Sequence, residues 1–286
     1  TTTDTSYEPE TQLSDGKVVE ITQSKQTNAT PSLLEAKLAK RKTINPALAW
    51  RYSDWKMQPS RYSLYWNGGS YFSNVNKTSI NLAEVKYAYQ YRRFNWGEDE
   101  YPGIQRFLTD QPWAHDDEYG STKSVNITEP DYPTFLAAIS DKRIKANNLD
   151  GIMFDWWHDY HPSPYNVQQV RNARINLVKK MRAVLGDEKI ILANVNWRKE
   201  QTTVGFLSGV FLELYKDETG SVYKTNQLKE IQNLLSYYNK YLAKPKIITL
   251  NGWRKTVDLS DEDRNSSENR KMAKLLTAMS VVVPDN

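Results

Sequence analysis

Short runs of consecutive apolar residues alternate with longer amphipathic stretches along most of the chain. The clearest apolar runs lie at 151–155, 189–195, 209–215 and 245–251. Continuous apolar runs are typical of parallel strands that are buried on both faces of a sheet. Between the runs, apolar residues recur at helical spacing, and this alternation of strands and helices indicates an α/β fold with a parallel sheet.

Weaker patterns complete the set of predicted elements. Further strands are predicted at 17–22, 47–52, 124–128 and 279–283. Helices are predicted at 31–42, 79–94, 129–148, 165–186, 225–242 and 267–278. Eight strands in a chain of this length predict a (β/α)8 TIM barrel. A doubly wound open sheet is the competing architecture, although no G-x-G-x-x-G or Walker A pattern supports a nucleotide-binding version of it.

The spacing of these elements also predicts the domain organisation. Residues 1–14 are polar and are expected to form an N-terminal arm, while 15–286 form a single catalytic barrel domain. The long gap between the second and third strands predicts a large insertion at about 53–121. Because the eighth predicted strand ends close to the last residue of the sequence, the last helix is expected to be missing or truncated.

Polar and aromatic residues follow the apolar runs at the positions where the predicted strands end. The segment LDGIMFDWWHDYH ends its apolar run in Asp155, which is followed by Trp156, Trp157, His158 and Asp159. Other candidates at strand ends are Tyr52, Asn194, Asn196, Trp197, Glu213, Asn251 and Trp253. In a TIM barrel the carboxyl ends of the strands form the active-site face, so these side chains are expected to converge there.

Two carboxylates beside aromatic platforms can cleave a glycosidic bond. One carboxylic acid protonates the leaving oxygen, and the other acts as nucleophile or as the base for a water molecule. Asp155 and Glu213 form the best pair, and the other strand-end residues are predicted to bind the substrate. The separation of the two carboxyl groups decides between retention and inversion, and the sequence leaves this choice open.

Several motifs in chain order resemble a known group of enzymes. The motifs are NPALAWRY, PWAHDDEYG, NITEPDYPTFL, LDGIMFDWW, IILANVN and GVFLELY, within about 30–283. Together they resemble a glycosyl-hydrolase-like TIM-barrel family that is distantly similar to the endo-α-1,4-polygalactosaminidases and the melibiase group. The resemblance implies that Asp155 is the nucleophile or base and Glu213 the acid. The WWHDYH loop and the segment 53–121 depart from the pattern, so the family's substrate does not carry over.

Two other functions fit the same residues. Asp155, His158, Asp159 and His161 supply potential metal ligands for a metal-dependent hydrolase or deacetylase, but their spacing matches no known metal motif. Alternatively, the barrel binds carbohydrate without cleaving it. The glycosidase hypothesis requires no metal and no cofactor.

The amino-acid composition favours some classes of binding partner and argues against others. The chain contains 9 Trp, 18 Tyr and 7 Phe, residue types whose flat faces suit sugar rings, and no cysteine. Its net charge of +4 is scattered rather than clustered, which argues against nucleic-acid binding. No window approaches the ~18 apolar residues of a membrane span. A carbohydrate substrate is therefore expected, with a secreted location favoured over an intracellular one and the oligomeric state left open.

Overall fold

The structure is a computed structural model of the 286-residue chain. It describes residues 33–39, 47–51, 62–67, 78–88, 90–91, 100–110, 123–159, 165–214, 223–252 and 266–282. The strands in these ranges are β1 (Ala47–Arg51), β2 (Leu64–Asn67), β3 (Ile80–Val85), β4 (Gln90–Tyr91), β5 (Leu108–Asp110), β6 (Lys123–Val125), β7 (Gly151–Phe154), β8 (Ile190–Asn194), β9 (Gly209–Leu214) and β10 (Ile247–Gly252). The helices are α1 (Leu33–Ala39), α2 (Tyr132–Asn147), α3 (Val167–Leu185), α4 (Thr225–Tyr241) and α5 (Ser267–Val282).

Seven of these strands form one parallel sheet. Their order is β1-β2-β3-β7-β8-β9-β10, which follows the order of the chain, and every neighbouring pair is parallel. A doubly wound sheet reverses its strand order at a switch point, and this sheet shows no reversal over its seven strands. The α/β fold with a parallel sheet is therefore confirmed, and the doubly wound alternative is not supported.

The sheet is strongly curved. The rings of Trp66 on β2 and Phe211 on β9 are in contact, with centroids 4.9 Å apart. Their strands are four positions apart in the sheet, which would separate them by ~19 Å if the sheet were flat. The contact therefore requires the sheet to curl around its own inner face, as barrel sheets do.

Two apolar clusters cover the two faces of the sheet. The outer cluster lies between the strands and helices α2–α5, and it includes Leu136, Leu177 and Leu235. The inner cluster is formed by residues of β2, β3, β7, β8, β9 and β10. Helix α1 packs Leu34 and Leu38 against this inner cluster. Both faces of the sheet are therefore buried, which explains the continuous apolar runs of the sequence.

Local sequence features fix the boundaries of β7 and α3. A side chain at Gly151 would overlap the carbonyl oxygen of Ile190, so only glycine permits the close approach of β7 to β8. At the start of α3, the Asn166 side chain accepts a hydrogen bond from the Gln169 N–H, and the Asn166 N–H donates one to Gln169 Oε1, both at 2.9 Å. This capping box satisfies two backbone donors that the first turn leaves open.

Several predicted elements need correction. The predicted helix at 79–94 is instead the sheet strand β3, and β2 also lies inside the predicted insertion 53–121. The predicted barrel strand at 124–128 corresponds to β6, which belongs to a separate antiparallel sheet of order β4-β6-β5. The small sheet follows β3 in the chain. The insertion therefore comes after the third strand of the parallel sheet, whereas it was predicted between the second and third strands.

The predicted last strand is also wrong. Helix α5 extends to Val282 and therefore includes most of 279–283. A helix thus follows the last described strand of the sheet, so the prediction that this helix is missing is wrong, while a truncated helix stays a prediction. The N-terminal arm 1–14 and the strand 17–22 lie outside the described residues. None of the helices in the part of the chain that the structure describes is long and apolar enough to cross a membrane.

Candidate active site

The inner face of the sheet changes from apolar to polar toward the carboxyl ends of the strands. Met153, Leu192 and Phe211 belong to the inner apolar cluster. Because side chains alternate along a strand, the position two residues later on each strand also faces inward. These positions are Asp155, Asn194 and Glu213. The structure therefore brings together three of the residues that the sequence predicted.

One carboxamide connects the two carboxylates. The Asn194 Nδ2 atom donates hydrogen bonds to Asp155 Oδ1 at 3.0 Å and to Glu213 Oε2 at 2.9 Å. Because both oxygens contact the same nitrogen, they are at most about 6 Å apart. This upper limit fits the ~5–5.5 Å separation of retaining glycosidases and falls below the ~6.5–9.5 Å of inverting ones.

The two carboxyl groups differ in burial. Asp155 is 7% exposed, whereas the Glu213 residue is only half-buried. Burial is the largest influence on Asp155 and raises the pKa of its carboxyl group above the ordinary value. The hydrogen bonds from Asn194 and from the backbone N–H of Trp156 lower this pKa, the negative charge of Glu213 raises it, and Lys86 lowers it. The net direction is upward.

Three further predicted binding residues lie at the end of the sheet that carries Glu213 and Asn194. Asn251 on β10 is the register partner of Glu213 on β9, so both side chains point to the same face of the sheet. Asn196 has a left-handed backbone with φ 51°, and its N–H donates to Asn194 Oδ1 at 3.0 Å. Half-buried Trp197 packs edge-on against Tyr223, with centroids 5.6 Å apart. All three residues therefore lie at the carboxyl end of the sheet.

Trp156 is an exposed aromatic residue held in a strained conformation. Its side chain is 54% exposed and its φ is 54°. A left-handed backbone at a bulky residue costs about 1–3 kcal/mol and persists only where the surroundings enforce it. The Tyr87 hydroxyl supports this backbone by donating to the Trp156 carbonyl at 2.9 Å. The indole is thus presented to solvent immediately after Asp155.

The position of Trp157 does not support its prediction as a substrate-binding residue, because the side chain lies inside the protein. Its side chain is fully buried, and its ring stacks on Phe154 with centroids 4.4 Å apart. The Arg174 guanidinium lies 4.6 Å from the ring centroid, and the indole N–H donates to Thr203 Oγ1 at 2.8 Å. The left-handed turn at Trp156 sends neighbouring indoles to opposite sides, one to solvent and one to the core.

The side chain of His158 is also buried, and the carboxylate of Asp159 is bound by other side chains of the protein. His158 is buried, at 5% exposure, with its ring 5.7 Å from that of Trp156. The Asp159 carboxylate binds Arg171 through one oxygen and the buried Arg174 through the other. Arg174 in turn binds Glu200. Asp159 therefore anchors the loop to α3, and its prediction as a substrate contact is not supported.

The same contacts weaken the metal hypothesis. Both Asp159 oxygens bind arginines, so neither is available as a metal ligand. Across the described ranges, no three His, Asp or Glu side chains are grouped so that they could hold a metal ion. His161, Tyr52 and Trp253 lie outside the described residues.

Sequence reasoning missed Glu84 and Lys86. Ile80 and Leu82 belong to the inner cluster, so Glu84 continues their inward-facing alternation near the end of β3. Glu84 is 1% exposed, and β3 is the direct neighbour of β7. Lys86, which follows β3, lies close enough to Asp155 to affect its pKa. The period-two pattern Ile80-Leu82-Glu84 was the signal that could have revealed them.

No protein-family model matches the chain, and no curated protein matches it. Solved structures with a similar backbone include the glycoside hydrolase domain of PelA from Pseudomonas aeruginosa, at 11% identity and TM-score 0.44 over 58% of this chain. This chain spans 66% of that domain, which is just under two thirds of its length. Another is the α-galactosidase from Thermus thermophilus bound to p-nitrophenyl α-D-galactopyranoside, at 9% identity and TM-score 0.49 over 86% of this chain and 60% of that one. The chitinase domain of the spore coat protein CotE from Clostridium difficile shares 12% identity at TM-score 0.44, over 76% of this chain and 68% of that one.

Proposed function

We propose that this protein is a glycoside hydrolase that uses Asp155 and Glu213 as its catalytic pair. The observation that carries the proposal is the shared hydrogen-bond donor, Asn194 Nδ2, which keeps the two carboxyl oxygens within about 6 Å. The pair lies at the carboxyl end of a parallel sheet, which is the catalytic end of such folds. Carboxyl groups at this separation fit a double displacement with retention of configuration.

In the proposed reaction, Asp155 is the nucleophile and Glu213 the acid–base residue. An Asp155 oxygen bonds to the anomeric carbon while the glycosidic C–O bond breaks, and the leaving oxygen takes the proton of Glu213. A water molecule then gives a proton to Glu213 and bonds to the anomeric carbon, which releases Asp155. Two donors, Asn194 Nδ2 and the Trp156 N–H, favour the ionised form of Asp155 that a nucleophile needs. The less buried Glu213 can reach both the leaving group and the water.

The residues around the pair suit a sugar ring. Trp156 offers an exposed indole face next to the nucleophile, and aromatic faces stack on the apolar face of sugars. Asn251 lies beside Glu213 and can bond a hydroxyl group with its carboxamide. Asn196, on the loop after β8, lies next to the proposed site because its N–H donates to Asn194, whereas Trp197 packs against the outer cluster. The proposed substrate is therefore an oligosaccharide or polysaccharide.

We further propose that the seven parallel strands belong to a complete (β/α)8 barrel. An eighth strand between β1 and β10, the two edge strands of the described sheet, would close such a barrel. The strand order and the Trp66–Phe211 contact support closure. A crystal structure in which no strand joins β1 to β10 would contradict this proposal.

A screen of polysaccharides and oligosaccharides tests the proposed function. The protein should release reducing ends from at least one of them, and NMR of the first product formed should show the anomeric configuration of the substrate. Extended chelation should leave the activity unchanged. Activity that is lost on chelation and returns with a divalent ion would favour a metal-dependent hydrolase instead. Binding without any release of reducing ends would favour a carbohydrate-binding barrel.

A further inference from the structure

Both donor hydrogens of the Asn194 side chain, and one acceptor site of its oxygen, are bound within the protein. Its Nδ2 atom uses both hydrogens, one for Asp155 and one for Glu213. Its Oδ1 atom accepts the Asn196 N–H at 3.0 Å. The side chain is also fully buried, with 0% exposure. Both donor hydrogens of this buried carboxamide are bound, and its oxygen already accepts one hydrogen bond, so it can make few hydrogen bonds to a sugar. The predicted role of Asn194 as a substrate contact therefore does not fit this geometry.

We propose that Asn194 is a positioning residue, whose single carboxamide nitrogen holds the Asp155 and Glu213 carboxyl groups at a fixed separation. This inference rests on the proposed function for its catalytic meaning, but the bridge itself is a property of the fold. Asn194 occupies the middle strand, β8, between β7 and β9. It is therefore the one residue of the three that adjoins both carboxyl groups.

The bridge also rests on a rigid support. The Asn194 carbonyl oxygen accepts the Trp157 N–H at 2.7 Å, which ties β8 to the loop after β7. The Asn196 N–H fixes the orientation of the carboxamide, so the NH₂ group faces the carboxylates rather than the loop. A catalytic group that is misplaced by about 1 Å can lose ~100-fold in rate. A donor that is itself held at three atoms prevents such a displacement.

A neutral donor suits this position better than a cation would. The charged groups that face Asp155 are Glu213 on β9 and Lys86 after β3, with Glu84 inward on the neighbouring strand. A cation between the carboxyl groups would lower the pKa values of both and hinder proton transfer by the acid. An amide lets two acidic groups approach each other while leaving one of them able to hold a proton.

Direct titration of Asp155 tests the bridge without requiring any substrate. Carboxyl NMR of protein labelled at the aspartate side-chain carbon should show a higher Asp155 pKa in Asn194→Ala than in the wild type, because a donor that lowers it is removed. Asn194→Leu, which has the same branched arrangement of side-chain heavy atoms and keeps the buried position filled, should shift the pKa in the same direction. Glu213→Gln should shift it downward, because a negative charge is removed.

The matched control is Asn81→Ala at the opposite end of the sheet. Asn81 is also a fully buried asparagine, and its Nδ2 atom donates to the Ser79 carbonyl at 2.8 Å, away from both carboxylates. This variant should leave the Asp155 pKa unchanged. An unchanged or lowered Asp155 pKa in both folded Asn194 variants would overturn the proposal, as would an equal upward shift in Asn81→Ala.

Kinetics on a substrate found in the screen then distinguish positioning from binding. Asn194→Leu should lower kcat by about 100-fold and leave KM within about threefold, because alignment rather than affinity is lost. A higher KM at unchanged kcat would identify Asn194 as a binding residue and overturn the proposal. If no polysaccharide is cleaved but the Asp155 pKa shifts as expected, the glycosidase function fails while the bridge stands.

Discussion

Asp150 and Asp155 flank the same strand, β7, and are equally buried, each at 7% exposure. Asp150 precedes the strand, and both of its oxygens bind Lys37 Nζ of helix α1, at 2.8 and 2.7 Å. Its Oδ2 atom also accepts the Asn81 N–H at 2.8 Å. Asp155 follows the strand, and its neighbours on the inner face are a neutral amide and a second carboxylate.

The difference distinguishes a carboxylate neutralised by an ion pair at one end of the strand from the proposed catalytic carboxylate at the other end. At the amino end, a buried carboxylate is matched by a buried cation, and the pair attaches α1 beneath the inner cluster. At the carboxyl end, burial and Glu213 raise the pKa of Asp155, and the opposing hydrogen bonds do not cancel that rise. A buried carboxyl group kept in such surroundings is a candidate functional group, because the surroundings stabilise its charge poorly.

The largest expected effect is a difference in enzymatic activity between variants at the two ends of β7. Asp155→Asn and Glu213→Gln should each lower kcat/KM by at least ~1000-fold, because an amide cannot act as nucleophile, acid or base. Asp150→Asn, the matched control from the other end of β7, should retain near-normal turnover per folded molecule. Steady-state kinetics with circular dichroism as the check on folding would measure this. Near-normal turnover in Asp155→Asn would show that Asp155 is a structural carboxylate.

Substrates with different leaving groups test which carboxyl group is the nucleophile and which is the acid. With an activated leaving group, which needs little protonation, Glu213→Gln should lose much less activity than it does with a natural glycoside. Asp155→Asn should lose activity with both kinds of substrate, because it lacks the nucleophile. Kinetics on an aryl glycoside and on the natural substrate would measure this difference. The reverse pattern would exchange the two roles and keep the pair.

The next effect is a loss of folding stability when the ion pair at the amino end of β7 is broken. Lys37→Met should lower the free energy of unfolding by about 3–5 kcal/mol, because it leaves the buried Asp150 carboxylate without a cation. Urea denaturation would measure the loss. Adding Asp150→Leu to this variant should recover much of it, because the uncompensated charge is then gone. A loss below about 1 kcal/mol in Lys37→Met would show that the buried pair does not hold α1 in place.

A smaller effect with a defined pH dependence is expected for Asp155→Asn. Because the pKa of Asp155 is raised in the folded state, the wild type loses stability as the pH rises from below the unfolded value, 3.8, through the folded value. The variant lacks this loss. Its free energy of unfolding relative to that of the wild type should therefore rise over that pH range and then level off. Urea denaturation from pH 3 upward would measure it. A difference in stability between variant and wild type that stays constant or falls as the pH rises would contradict the raised pKa of Asp155.

The smallest effect concerns the exposed indole. Trp156→Ala should raise KM by about 3- to 10-fold, since an aromatic contact is worth about 0.5–1.5 kcal/mol. Phe206, a half-buried aromatic residue of the outer cluster, supplies the control, because Phe206→Leu should leave KM unchanged. An unchanged KM in Trp156→Ala would remove Trp156 from the proposed site.

The main catalytic candidates could be predicted because they end strongly apolar strands. Asp155, Asn194 and Glu213 terminate runs whose burial on both faces is visible in the sequence, and parallel strands end at one edge. Glu84 was missed because the segment NLAEVKYAYQ contains good helix formers. Its strand conformation is imposed by pairing with β2 and β7, which outweighs the local helix propensity, so the period-two pattern Ile80-Leu82-Glu84 was overlooked.

Other errors have equally physical causes. The β-branched residues of 279–283 favour a strand, yet α5, which packs against β10, extends to Val282. Trp156 and Trp157 are adjacent and chemically identical, and only the left-handed backbone at Trp156 decides which indole is exposed. The ion pairs of Asp159 depend on Arg174 on α3, so its structural role required the tertiary fold.

Trapping the covalent intermediate tests the central claim most directly. Once the screen identifies the sugar, Glu213→Gln would be incubated with the corresponding glycosyl donor carrying an activated leaving group. The first step should proceed, while the second should stall because no base activates water. Mass spectrometry should then show a mass increase of one glycosyl unit on the peptide that contains Asp155. Rapid hydrolysis of this donor by the wild type, with no adduct in the variant or with an adduct on another residue, would contradict the account.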